Sequence, residues 1–86
     1  MMEFTYTPPD VPLRIIYEDR AILVADKPSG LLSVPGKTEG RADCLETRLR
    51  SAYPGTLLVH RLDCDTSGVM IFARNKAAQG FLGQEF

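Results

Sequence analysis

Apolar residues arrive along this chain in short blocks separated by charged or turn-forming residues. LRIIY at 13–17 and AILVAD at 21–26 are short and rich in β-branched residues, and the charged EDR between them suits a hairpin turn. KPSG then interrupts the pattern, LLSV at 31–34 reads as a third short strand, and Pro35, Gly36 and Gly40 mark a loop carrying Lys37 and Arg41. A helix is predicted next, with Asp43 as N-cap and Glu46 three residues on completing a capping box. Leu45, Leu49, Ala52 and Tyr53 fall on one helical face, and Pro54 and Gly55 end the element. TLLV at 56–59 and VMIFA at 69–73 read as buried strands. From Lys76 the spacing of Ala78, Leu82 and Phe86 is helical again, although Gly80 and Gly83 weaken so short a helix. The order is β-β-(β)-α-β-β-α, an α/β (α+β) fold with a mixed, mainly antiparallel sheet.

Residues 1–12, rich in Thr, Pro and acid, have no periodicity and read as an extended or mobile lead-in. The last helical pattern stops on Phe86 without a cap, which reads as the N-terminal part of a longer protein.

Composition narrows the class. With 86 residues, one domain is expected, and a chain of that size buries only about 60% of its unfolded surface. Apolar residues make up 44% and charged residues 24%, ordinary globular values that indicate neither disorder nor a fibrous repeat. A net charge of −1 does not mark a general nucleic-acid binder. Between Lys27 and Arg61, however, six basic residues face only Glu39, Asp43 and Glu46, a local bias that favours phosphate or, equally, a solvated mixed surface. No apolar run approaches the ~18 residues of a membrane span, and MMEFTYTPPD lacks the basic and apolar regions of a secretion signal. Cys44 and Cys64 are too few for a disulfide framework or a zinc pattern, so reduced thiols in a cytoplasmic protein are expected.

The chemistry concentrates in LVHRLDCDTSG, residues 58–68. Asp63, Asp65, Ser67 and Gly68 fit positions 1, 3, 5 and 6 of a calcium loop, but the twelfth position is Arg74, a cation where a bidentate glutamate belongs. The D-x-D-x-T spacing also resembles the haloacid-dehalogenase phosphatases, with Asp63 attacking phosphorus, Asp65 handling the proton and Mg²⁺ as cofactor; His60 and Arg61 interrupt the apolar strand which that motif follows. A third possibility is a lone nucleophilic carboxylate facing an RNA base, ionised beside the Arg61 guanidinium and braced by Thr66, Ser67 and Gly68. The plain alternative is a turn at Asp63 with a surface ion pair, a hydrogen-bonded structural His60 and an incidental Cys64.

HRLDCDTSGVMIFARNKAA at 60–78 resembles the pseudouridine synthases of the RluA family, whose pattern is H-R-L-D, then T-S-G two residues later and an apolar strand. IIYEDRAILVADKPSGLLSVPG at 15–36 resembles the same family's N-terminal hairpin and Lys-Pro-x-Gly element, and the match runs from about Pro8 to Ala78. The resemblance implies that 13–86 is the N-terminal portion of a catalytic domain and that Asp63 is the catalytic nucleophile. It implies that Arg61 enters the RNA stack where the target uridine has left, that His60 supports it, and that Thr66, Ser67 and Gly68 shape the substrate-binding loop. Lys27, Pro28 and Gly30 match an element that is structural first and functional second. The implied partners are 23S ribosomal RNA and the tRNA anticodon stem-loop. Isomerising uridine is neither a redox nor a hydrolytic reaction, so no cofactor and no metal are expected. The family's uracil-packing tyrosine and the basic partner of its aspartate lie well downstream of H-R-L-D and have no counterpart up to Phe86, so this stretch alone is expected to lack turnover. A non-catalytic RNA-docking module using Arg61, Lys37 and Arg41 remains a separate reading.

Overall fold

β1 (Ile15–Glu18) and β2 (Ile22–Lys27) form the predicted hairpin. Asp19 closes its turn, because Oδ1 accepts the amides of Ala21 and Ile22, both at 2.8 Å, while Oδ2 accepts the Tyr17 hydroxyl at 2.7 Å. These bonds hold the Asp19 carboxyl below its ordinary pKa, the Tyr17 hydroxyl first and the two amides next. β3 (Gly68–Ala73) pairs antiparallel with β2 in unbroken register from Ile22↔Ala73 to Lys27↔Gly68, giving a sheet of order β1-β2-β3. The structure is a computed structural model and describes residues 5–37 and 40–86. Glu39 of the charge balance, and the first four residues of the lead-in, lie outside the described residues.

Leu23 and Ala25 of β2, Met70 and Phe72 of β3, and Leu45 and Leu49 of α1 (Leu45–Ala52) bury together with Leu31 as the core. Each large side chain removed from water there contributes about 1.5–3 kcal/mol. The helical stripe is as predicted at Leu45, Leu49 and Tyr53, whereas Ala52 is exposed where the helix ends. The cap differs by one residue. Cys44 is the N-cap and shares a capping box with Thr47, while Asp43 is drawn off by a bidentate pair with Arg48, at 2.8 and 2.7 Å. Charge-assisted, two-point bonding outweighs a single amide contact from the same carboxylate.

Two further expectations are corrected. Residues 31–34 are not a strand; the carbonyls of Leu32 and Ser33 accept the amides of Leu45 and Glu46, at 2.8 and 3.1 Å, and so satisfy the first turn of α1 instead of a sheet neighbour. Residues 56–59 contribute only a bridge between Leu57 and Ala73, so among the described residues the order is β-β-α-β-α and all strand pairing is antiparallel. The described part of the lead-in, residues 5–12, has no regular structure, and the strand expected from 13 begins at Ile15; the lead-in is nonetheless tied to the helix: the Tyr6 hydroxyl donates to the Asp43 carbonyl and accepts the Leu32 amide, and Arg48 donates to the Pro9 carbonyl.

α2 (Lys76–Gly83) starts at Asn75, whose Oδ1 caps the Ala78 amide at 2.8 Å. It packs against β3, with Ala78 and Leu82 half-buried and Phe81 exposed. Among the described residues, no helix is long and apolar enough to cross a membrane.

Candidate active site

After the Leu57 bridge the chain leaves the sheet and returns only at Gly68, where β3 begins. Across this excursion the side chains alternate: Leu62 is half-buried and packs against the core, and Arg61 and Asp63 on either side of it are exposed. Guanidinium and carboxylate are thus both open to solvent, on either side of a residue that packs inward. Among the described residues no ion pair joins them, so neither the plain surface pair nor the expected support of the Asp63 charge by an adjoining Arg61 guanidinium is formed.

The backbone beneath Asp63 is gripped from both sides by residues 27–33. On one side Ser33 Oγ donates to the Leu62 carbonyl at 2.6 Å and accepts the Leu62 amide at 3.0 Å. On the other, the Cys64 carbonyl accepts both the Gly30 amide at 2.8 Å and Lys27 Nζ at 2.9 Å. Ser29 Oγ reaches the Asp65 carbonyl at 2.7 Å, and the Thr66 amide closes the turn on the Asp63 carbonyl at 3.0 Å. Gly30 reaches its partner with φ +90°, a conformation that L side chains rarely adopt.

Lys27 is the least expected member. Period two along β2 sets it on the same face as Leu23 and Ala25, and it is fully buried. Its ammonium donates to the carbonyls of Pro28, Leu31 and Cys64, which uses all three of its donors. Burial pushes its pKa down, opposed by the nearby carboxylates of Asp65 and Asp63. It is a positive charge held behind the acidic turn, with main-chain oxygens as its direct partners.

His60 faces inward. Its Nε2 accepts the Ile71 amide of β3 at 3.1 Å and its ring stacks on Phe86 with centroids 4.3 Å apart, so burial lowers its pKa. The structural reading of His60 thus describes its contacts. Thr66 and Ser67 are exposed, and among the described residues neither hydroxyl bonds the Asp63 carboxylate; Ser33, Lys27 and Gly30 hold the main chain of its neighbours Leu62 and Cys64 instead. Gly68 has φ +149°, which lets the chain swing from the turn into β3 against Leu62. Cys64 is half-buried and takes part through its carbonyl. Sequence reading missed Ser33; its one signal is a small hydroxyl set among apolar neighbours in LLSV.

A cleft of about 230 Å³ opens at this place, with Leu32, Ser33 and Val34 along one wall and residues 61–64 along the other. Its lining thus joins apolar Leu32 and Val34 to the charged Arg61 and Asp63. The flanks do not match a calcium loop, since β3 rather than a helix follows the acidic turn.

A sheet hairpin, a Lys-Pro-x-Gly turn and an H-R-L-D excursion gripped by it define a known class. The model of the RNA pseudouridylate synthase family matches residues 21–86, and this chain belongs to that family. Among curated relatives, the dual-specificity RNA pseudouridine synthase RluA of Vibrio vulnificus is 48% identical over 87 residues, covering all of this chain and 35% of its own length. RluA of Escherichia coli K12 is 50% identical over 82 residues, covering 94% of this chain and 37% of its own. The chain thus spans little more than a third of the curated relatives it matches. Among solved structures, human RNA pseudouridylate synthase domain containing 4 superposes with a TM-score of 0.63 at 28% identity, over 83% of this chain and 28% of that one. Human RNA pseudouridylate synthase domain containing 1 gives 0.62 at 34% identity, over 86% and 28%.

Proposed function

We propose that the whole protein isomerises specific uridines to pseudouridine in structured RNA, with Asp63 as the reacting carboxylate and Arg61 as the group that takes the place of the extruded base. The observation that carries this reading is the grip of Ser33, Lys27 and Gly30 on the peptides flanking Asp63, which fixes an exposed acid beside an exposed guanidinium at the edge of a cleft. A group that must meet a substrate gains most from such fixing. The phosphatase alternative has less support, because residues 58–62 are not a strand and the sheet is antiparallel.

A stacked uridine hides its glycosidic bond, so it must leave the helix, which costs a few kcal/mol. A planar guanidinium stacks and hydrogen-bonds in the vacated space better than an ammonium would. Isomerisation then breaks C1′–N1 and forms C1′–C5; the base loses the C5 proton and gains one at N1, so atoms balance without an oxidant or a transferred group. Thr66, Ser67 and Gly68 give the turn that presents Asp63, and His60 holds the approach to it against β3. In this reading residues 13–86 are the N-terminal portion of the catalytic domain, 1–12 are a lead-in, the protein is cytoplasmic, and the substrates are 23S ribosomal RNA and the tRNA anticodon stem-loop, in line with the dual specificity named for the relatives.

Tritium release from RNA labelled at uridine C5 tests it. The whole protein should release label and its Asp63→Ala variant should bind the same RNA without release; a docking module would release none before the change. The 86-residue chain alone should not turn over, and release from it would contradict the expectation that groups further along the protein complete the site.

A further inference from the structure

Ser33 is among the few buried polar side chains, 3% exposed, and it stands on the segment that caps α1. Its single hydroxyl takes both main-chain groups of Leu62, donating to the carbonyl at 2.6 Å and accepting the amide at 3.0 Å. In a sheet a neighbouring strand would take these groups, but residue 62 has no strand partner. A hydroxyl carries one donor and two lone pairs, so one side chain can replace that strand locally. The remaining contact, to Met70 Sδ at 3.4 Å, sets the hydroxyl against the core below β3.

Leu62 lies between Arg61 and Asp63, so the peptide planes held by Ser33 are those from which both side chains depart. We infer that Ser33 is a positioning residue for pseudouridine formation, setting the spacing of guanidinium and carboxylate through the Leu62 backbone while touching neither the RNA nor the reacting atoms. The inference rests on the roles proposed above for Asp63 and Arg61.

Side-chain chemistry separates positioning from mere space filling. Ser33→Cys is close in shape but is a weak donor and acceptor, Ser33→Ala has no polar group, and Ser33→Thr keeps the hydroxyl. In the whole protein, single-turnover pseudouridine formation should slow by about 10- to 100-fold for the cysteine and alanine variants, as expected for displacement of a reacting group by up to 1 Å. Affinity for the same RNA should stay within about threefold, and the threonine variant should recover a rate within about tenfold of wild type. Hydrogen exchange at the Leu62 amide should accelerate in the cysteine variant and not in the threonine variant. If Ser33→Ala fails to fold, the cysteine and threonine pair still decides the matter. A cysteine variant at the wild-type rate, or a threonine variant as slow as the cysteine one, overturns the inference. Wild-type protein that forms no pseudouridine overturns the parent reading instead.

Discussion

Replacing Lys27 by methionine sets two large effects against each other. The change keeps most of the stem volume and removes the ammonium, so the expense of burying a charge disappears, a relief of several kcal/mol. Against this, three charge-assisted bonds vanish, each worth about 1.5–3 kcal/mol. The Cys64 carbonyl keeps the Gly30 amide, whereas the buried Leu31 carbonyl and the part-buried Pro28 carbonyl lose their Lys27 donor. An orphaned buried acceptor costs about 1–3 kcal/mol. An orphaned carbonyl is part of what its lost bond costs, so the three bonds, about 4.5–9 kcal/mol together, are set against a relief of several kcal/mol, and a net loss of about 2–4 kcal/mol is expected. For a small domain with a urea slope of about 1–2 kcal/mol per molar, the denaturation midpoint should fall by at least about 1 M. Hydrogen exchange at the Gly30 and Thr66 amides should rise with it, because both bond to the acidic turn. An unchanged or higher midpoint would refute the reasoning, since the ammonium would then be a burden rather than the brace of that turn.

Stability should also depend on His60. Its pKa is lowered in the fold, so the unfolded chain binds more protons between the folded value and the ordinary 6.5; stability is complete above about 6.5 and is lost as pH falls through the folded value. Thermal melts from pH 8 to 5 should show this decline, and His60→Asn, whose amide oxygen can still accept the Ile71 N–H, should flatten the part of it due to His60. Gly68→Ala meets only Leu62 Cδ1 at 3.5 Å but must hold φ +149°, so the loss is conformational, about 1–3 kcal/mol, and should appear as a lower melting temperature.

The sequence carried the parts of the fold that depend on local pattern. β-branched runs around EDR specify the hairpin, and the spacing of Leu45, Leu49 and Tyr53 specifies the face of α1. Apolar LLSV and TLLV misled, because a short apolar run does not say where its backbone bonds go: Leu32 and Ser33 cap a helix, and Leu57 makes a single bridge. Asp43 was a plausible cap until Arg48, five residues on, took its carboxylate. At the site, the H-R-L-D and Lys-Pro-x-Gly stretches could be read directly. Alternation in β2 already aimed Lys27 inward, whereas no local pattern could tell that Ser33 meets Leu62, a contact 29 residues away in sequence.

Exchange of the two acids of the turn, one at a time, addresses the assignment of Asp63 most directly. Asp63→Asn keeps the size and hydrogen-bonding shape of the side chain and removes its charge, while Asp65→Asn does the same two residues on, where only the backbone carbonyl joins the grip. In the whole protein, pseudouridine formation in RNA should fall by at least about 10³-fold for Asp63→Asn, as for loss of a reacting group, and by less than about tenfold for Asp65→Asn. Retained activity in the first variant, or an equal loss in both, would contradict the role given to Asp63.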